Sequence, residues 1–367
     1  MKKKLYKKRI QKFNKTNVYD EALKRIEHIY NAFDTVVDMF SGGKDSLATL
    51  HLCKEVQDKL GIKEKVNVVF RDEELIPQPV IEFVKNYKDK DWIDMKYFAV
   101  PMYSQKFVLG KTSTYVQWDK KRKHVRPIPE FAIQTKATDD RIFNQHNMDS
   151  YTASFYRGKI AFVNGIRASE SLTRYASCMV KLNENYINTP RKSDAKNIKL
   201  CKPIFDWQEN DVFRYFYEKK INYCHIYNEQ MWNGDSLRVA TPVHTEHAKK
   251  FYKLRSLDPW LYSQIIEIFP EMILQDKYYK EFDRESIHNE YGKTLDTVFK
   301  YIKENITDSR QKHEAYKQFI ETVVAHRGDP IAYPVAYILN YFLAGQYKRP
   351  IQPLPKEKQI ERANRKN

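Results

Sequence analysis

Six consecutive residues, Ser41-Gly42-Gly43-Lys44-Asp45-Ser46, bring together the groups that hold a phosphate. Two adjacent glycines let the backbone take positive φ and come close to a ligand. Successive N–H groups at such a turn can converge on one anion, and a helix starting there adds partial positive charge. Lys44 supplies a mobile cation, and Ser41 and Ser46 supply hydroxyl donors. A second group of charged residues, Gly165-Ile166-Arg167 followed by Glu170 and Arg174, offers two guanidinium forks for phosphate or sulfate oxygens. Glu170 can orient one fork, and a plain i,i+4 surface pair of Glu170 with Arg174 accounts for it equally. A third group, Asp72-Glu73-Glu74, carries carboxylates that can accept from ribose hydroxyls or help hold Mg²⁺, or that simply form a solvated acidic turn.

These groups need a scaffold, and the apolar pattern supplies one. Thr35–Phe40 reads as a buried strand that turns through Gly42 and Gly43 into a helix bearing Leu47, Leu50, Val56 and Leu60. The plain alternative for the turn is an ordinary strand-to-helix junction with Asp45 or Ser46 as its N-cap. Val66–Phe70, Met95–Val100 and Lys159–Arg167 read as further strands, with a helix near Pro79–Tyr87 and another opening at Ala168. Ahead of them, Asn17 caps a helix whose stripe is Val18, Ala22, Ile26 and Tyr30. Strands alternating with helices predict a parallel sheet with right-handed crossovers. In such a sheet ligands sit beyond the carboxyl ends of the strands, where all three groups fall.

The chain has 367 residues, 42% of them hydrophobic, which is enough for sizeable cores. Its formal net charge of +17 and pI near 9.4 favour an anionic partner, nucleotide or nucleic acid. Cys53, Cys178, Cys201 and Cys224 are widely spaced, without the ligand spacing of a zinc or iron–sulfur site. No apolar run approaches a membrane span, and no apolar signal region follows the basic N-terminus, so the reading is cytoplasmic. The basic segment Lys120–Arg126, next to Trp118, serves equally well as a polyanion contact or a solvated charge run. Asp206 and Glu209 read as a capping box for the helix after Trp207. Beyond Gly234, aromatic-rich helices are expected around His247–Leu257, Trp260–Phe269, Ile287–Ile306 and Gln311–Ala325.

Ser-Gly-Gly-Lys-Asp-Ser does not have the Gly-x-x-x-x-Gly-Lys-Ser/Thr spacing of the common triphosphatase loop. It resembles the PP-loop of the adenosine nucleotide α-hydrolases. Gly165-Ile-Arg167-x-x-Glu170-Ser171 resembles the Gly-x-Arg-x-x-Glu-Ser stretch of the phosphoadenosine phosphosulfate (PAPS) reductases, and the small subunit of ATP sulfurylase carries a related one. Lys202–Phe216 resembles that family's Pro-Leu-x-x-Trp-x-x-x-Asp-Val-Trp segment, and Ile221–Tyr227 the loop after it. The likeness covers about residues 30–235. The arrangement, with its basic arm and helical extension, is most similar to the IbrA group, and DndC is a more distant relative.

The resemblance implies a Rossmann-like α/β domain with a central parallel sheet, residues 17–235. Flanking it are a basic arm (1–16), a helical C-terminal domain (236–347) and a basic tail (348–367). It implies ATP or PAPS as ligand, with Mg²⁺. Lys44, Asp45 and Arg167 become the catalytic candidates. Ser41, Gly42, Gly43, Ser46, Asp72, Gly165, Glu170 and Arg174 become the nucleotide-binding ones. The expected reaction is attack on the α-phosphorus of ATP with release of pyrophosphate. The resemblance also admits a sulfonucleotide reductase or sulfur transferase, and a nucleotide-switched regulator acting with nucleic acid, a ParB-like protein or further copies of this chain. The family's Glu-Cys-Gly-x-His segment, which carries the reductive thiolate, has no counterpart after Cys224.

Overall fold

The computed structural model describes residues 15–178, 186–190, 195–233, 238–279, 284–345, 347 and 349–359. Most of the expected basic arm (1–14) and the end of the expected tail (360–367) lie outside them. The chain divides into two compact units, one running through Met102 and resuming over Gln117–Val239, the other formed by Tyr103–Val116 and the chain from Ala240 on.

The first unit opens with α1 (Val18–Ala32), whose first-turn N–H at Tyr19 is accepted by the Asn17 side chain as its cap. Then come β1 (Thr35–Met39), α2 (Lys44–Leu60), β2 (Val66–Arg71), α3 (Gln78–Lys88) and β3 (Ile93–Phe98). After a short ribbon, β4 (Met102–Val108) and β5 (Lys111–Gln117), the unit continues with α4 (Gln145–Ala153), β6 (Ile160–Val163) and α5 (Leu172–Cys178). It closes with β7 (Ile187–Asn188), β8 (Ile198–Cys201), α6 (Glu209–Lys219) and α7 (Ile226–Trp232).

Six of these strands form one sheet in the order β3-β2-β1-β6-β8-β7. All neighbours are parallel except the β7–β8 edge pair. Side chains alternate across the sheet as the pleat requires. Val36 joins a core with Leu47, Leu50, Val80 and Phe216 on one face, while Val37 joins Val69, Phe98, Met148 and Phe162 on the other. Cover on both faces explains why the strands read as nearly continuous apolar runs.

The strand order has a mechanical consequence. From β1 the chain steps outward to β2 and β3, then returns to place β6 on the opposite side of β1. The crossovers on either side of β1 therefore leave in opposite directions, and a crevice opens beyond the carboxyl ends of β1 and β6. Residues after β1 are Phe40–Gly43, and residues after β6 are Asn164–Arg167.

The second unit holds most of the β4–β5 ribbon and a series of helices: α8 (Thr245–Ala248), α9 (Leu254–Leu257), α10 (Pro259–Ile268), α11 (Met272–Tyr278), α12 (Arg284–Tyr291), α13 (Leu295–Asn305), α14 (Ser309–Gly328) and α15 (Val335–Leu343). The single helix expected over Ile287–Ile306 is two, because Gly292 interrupts it and Thr294 starts the second with a capping box to Thr297. The helix expected over His247–Leu257 is broken into short turns, and α11 and α15 had no clear signal in the sequence. Val298, Ile302, Ala315, Leu339 and Phe342 form its core, which Ile351 joins from the segment expected to be tail.

Candidate functional site

The phosphate-loop candidate sits at the switch point between β1 and β6. Gly42 has φ +75°, and a Cβ there would strike Val80 and Val84 of α3 at 2.8–2.9 Å. Both constraints demand glycine. Gly43 is the N-cap of α2 in extended conformation, and the first helical bond runs from the Leu47 N–H to the Gly43 carbonyl at 2.9 Å. The Ser46 hydroxyl ties the loop together by accepting from the Ser41 N–H (3.1 Å) and donating to the Gly43 carbonyl (3.0 Å). The Lys44 N–H, which has no carbonyl partner within the helix, donates to the Tyr227 hydroxyl at 2.9 Å. Burial raises the Tyr227 pKa, so the phenol stays protonated at neutral pH and keeps its own proton to donate.

Charge converges on the first turn of α2. Lys44 Nζ lies 3.0 Å from the Asp45 carboxylate and 3.2 Å from Glu209 on the first turn of α6. Arg167 Nε donates to the other Asp45 oxygen at 2.7 Å, and its guanidinium reaches toward Glu209 at 3.8 Å. Lys44 and Arg167 are buried, whereas the Glu209 side chain is 44% exposed. Two desolvated cations thus meet at a helix N-terminus, bridged by Asp45 and, more loosely, by Glu209, which water reaches. Gly165 makes this convergence sterically possible. A Cβ there would lie 2.4–2.5 Å from the backbone of Asp45 and Ser46, so only glycine lets the segment after β6 lie against the loop. Glu170 accepts from the Arg167 N–H at 3.2 Å and pairs with the half-exposed Arg174, so Gly165 and Arg167 touch the loop while Arg174 is held through Glu170.

Asp72 is not brought to this cluster. It follows β2, one strand away from the switch point, and its carboxylate is already taken. Oδ1 accepts from the Glu74 N–H at 2.9 Å and from Arg126, and Oδ2 accepts from the Tyr97 hydroxyl. Glu74 holds Arg122 through two bonds of 2.6–2.7 Å and also accepts the Trp118 N–H. The basic segment is therefore neither a polyanion surface nor a solvated run at its two arginines. Arg122 and Arg126 turn inward and clamp the acidic turn after β2, and Lys120 donates to the Lys136 and Asp139 carbonyls.

The capping box expected from Asp206 and Glu209 is also replaced. Asp206 forms a bidentate pair with Arg25 at 2.8 Å. Gln208 is the N-cap of α6, and its reciprocal partner is Asp211. Glu209 is thereby released to face Lys44. Sequence reasoning missed both Glu209 and Tyr227, although each lies in a stretch with family likeness.

The four cysteines are all buried. Burial pushes the Cys224 thiol up, and it lies 3.7 Å from the Pro79 carbonyl, which leaves it poorly suited to nucleophilic attack. Beneath the loop, Asp38 in β1 is fully buried, with no hydrogen-bond partner on either oxygen. Burial raises its pKa well above the usual carboxylate value. No group of three metal-ligating side chains occurs among the described residues, and no described helix is long and apolar enough to cross a membrane.

A doubly wound α/β unit with a glycine-rich loop and two buried cations at its switch point belongs to the nucleotide-binding class of folds in its architecture. Residues 35–265 match the family described as the phosphoadenosine phosphosulfate reductase domain, and the chain belongs to that family. It is 26% identical over 259 residues to the uncharacterized protein YbdN of Escherichia coli (strain K12); the match covers 66% of this chain and 63% of YbdN. Among solved structures, it is similar to Candida glabrata FMN adenylyltransferase in complex with FAD and inorganic pyrophosphate, at 12% identity and a TM-score of 0.39, covering 59% of this chain and 64% of that one. It is also similar to the phosphate complex of PAPS reductase from Candida auris, at 10% identity and a TM-score of 0.33, covering 60% of this chain and 93% of that one.

Proposed function

We propose that this chain binds an adenine nucleotide on the Ser41–Ser46 loop and cleaves ATP at the α-phosphate. One observation carries the reading. Lys44 and Arg167 are both buried at the N-terminus of α2, and of the two acids that bridge them, Asp45 and Glu209, the more loosely held Glu209 is accessible to water. A polyphosphate that displaced Glu209 would meet two desolvated cations, the Tyr227 hydroxyl and the loop N–H groups together. An acceptor oxygen then bonds to the α-phosphorus, and the bond to the β-phosphate bridging oxygen breaks. Its electron pair leaves with pyrophosphate, and the acceptor carries AMP. Arg167 and Lys44 stabilise the charge that builds on the phosphoryl oxygens, while Gly165 keeps Arg167 in register with the loop.

Asp45 and Glu209 are the carboxylates that would hold a Mg²⁺ carried on the phosphates, since Mg²⁺ is usually bound by one or two carboxylates plus phosphate. That ion would neutralise phosphate charge. Sulfonucleotide reduction is the weaker reading, because its thiolate has no exposed candidate near the loop. Calorimetric titration with ATP, AMP and PAPS, each with Mg²⁺ and with pyrophosphate and sulfite assayed, tests the proposal. ATP binding with pyrophosphate release is the expected result. PAPS preference, with sulfite release once a dithiol reductant is supplied, would overturn it.

A further inference from the structure

One cavity in the first unit lies away from the loop. It has a volume of about 680 Å³ and opens between α2, α3 and the segment joining α6 to α7, with none of Ser41–Ser46 in its lining. That size falls within the range of small-ligand sites, roughly 300–1,000 Å³. His51 of α2 lines it, seven residues beyond Lys44, which at the helical rise is about 10 Å along the same face from the phosphate loop.

The lining is aromatic below and cationic at the rim. Phe83 and Tyr87 of α3 stand with ring centroids 4.9 Å apart, and Tyr223 stacks on Phe216 behind it at 5.8 Å. Three lysines, Lys90, Lys219 and Lys220, face a single carboxylate, Glu55. Lys219 alone neutralises that carboxylate at 2.9 Å, and the hydroxyls of Tyr19 and Tyr215 also donate to it. Lys90 and Lys220 have no carboxylate within ion-pair distance among the described residues, and the Lys90 ammonium lies 5.0 Å from the Tyr87 ring centroid. His51 accepts or shares the Tyr87 proton at 2.9 Å, and burial together with the charge of Lys90 lowers its pKa to about 4, so it adds no charge at neutral pH. Asn86 and Asn222 add amides that both donate and accept.

We propose that this cavity is a second ligand site, separate from the phosphate loop, that takes a free nucleoside monophosphate. The base lies against the Phe83–Tyr87–Tyr223 wall, where any base offers a π-face. Asn86 and Asn222 meet its polar edge, and the phosphate sits between Lys90 and Lys220. The segment that supplies Tyr223 to this cavity also supplies Tyr227 to the loop, so occupancy of one site is in structural contact with the other.

The test uses full-length Lys44→Ala protein, in which loop binding is weakened, titrated by calorimetry and saturation-transfer NMR with AMP, GMP, CMP and UMP. At least one is expected to bind saturably at one molecule per chain. Lys90→Glu combined with Lys220→Glu should weaken it by about tenfold or more, as should removal of the phosphate from the probe. The same double substitution in otherwise wild-type protein leaves ATP binding at the loop unchanged, which separates this site from the proposed catalytic one. Should none of the four bind saturably, or should the double substitution or the bare nucleoside leave affinity unaltered, the second site is refuted.

Discussion

Two clusters of buried charge lie beyond the carboxyl ends of the sheet, and they differ in what completes them. After β2, Asp72 and Glu74 are fully enclosed and satisfied by Arg122, Arg126, Tyr97 and backbone N–H groups. After β1, Lys44 and Arg167 are equally buried but share two acids, Asp45 and Glu209, the second of which is open to water. The first cluster is closed and has nothing left to offer a ligand. The second has a water-exposed carboxylate at its mouth, the one that the proposed ligand would replace. On the proposed reading, it is an accessible partner, and not burial of charge alone, that distinguishes the ligand site.

The comparison breaks if the two clusters respond alike to substitution. Arg126→Ala strands Asp72 in the interior, and losing one partner of a buried pair costs about 3–5 kcal/mol. Urea unfolding should show that loss, while ATP affinity per folded molecule stays at the wild-type value. Lys44→Ala should do the reverse. A charged hydrogen bond of about 1.5–3 kcal/mol corresponds to roughly 10–100-fold weaker ATP binding by calorimetry, with little change in unfolding midpoint.

Asp38 differs from both as a fully buried acid with no ion pair among the described residues, the Thr49 hydroxyl being its polar neighbour. Its folded pKa is raised, so the folded state holds a proton that the unfolded chain releases above about pH 4. Its stabilising contribution is complete below that pH and declines as pH rises toward the folded pKa. Asp38→Asn removes the dependence, and its melting temperature should exceed that of wild type by more at pH 8 than at pH 5. The smallest effect belongs to Glu209→Gln. Its half-exposed pairs are worth about 0.2–1 kcal/mol, so ATP without Mg²⁺ should bind about 1.4- to fivefold more tightly. Weaker binding under those conditions would show that Glu209 orients Lys44 instead of competing with the ligand.

Local signals made β1, the glycine turn, α2, β2, β3 and β6 legible in the sequence. Each is an apolar run or stripe bounded by turn residues, and the loop candidates at 41–46 and 165–174 do meet. The rest was decided by partners distant in sequence. Arg25 takes Asp206 away from the capping box that its neighbours suggested, which hid Glu209. Asp72 and Glu74 turn a run of positive charge inward, although nothing local to 120–126 shows that acids await it. The short β8, Ile198-Lys199-Leu200-Cys201, becomes a strand only because β6 offers it an edge.

The ribbon formed by Tyr103–Val116 has a consequence for how the polypeptide is made. During synthesis it emerges before any of the later segments that complete its own unit. Phe107 waits for the Val243 carbonyl to receive its N–H, and Tyr115 waits for the ring of Phe269. Until those residues leave the ribosome, this ribbon is an uncovered pair of strands in a nascent chain, the kind of segment that recruits chaperones or sticks to its neighbours. Cutting the gene at the boundary near Val239 would perpetuate that state, so dissection of this protein calls for a fragment in which a short linker replaces 103–116.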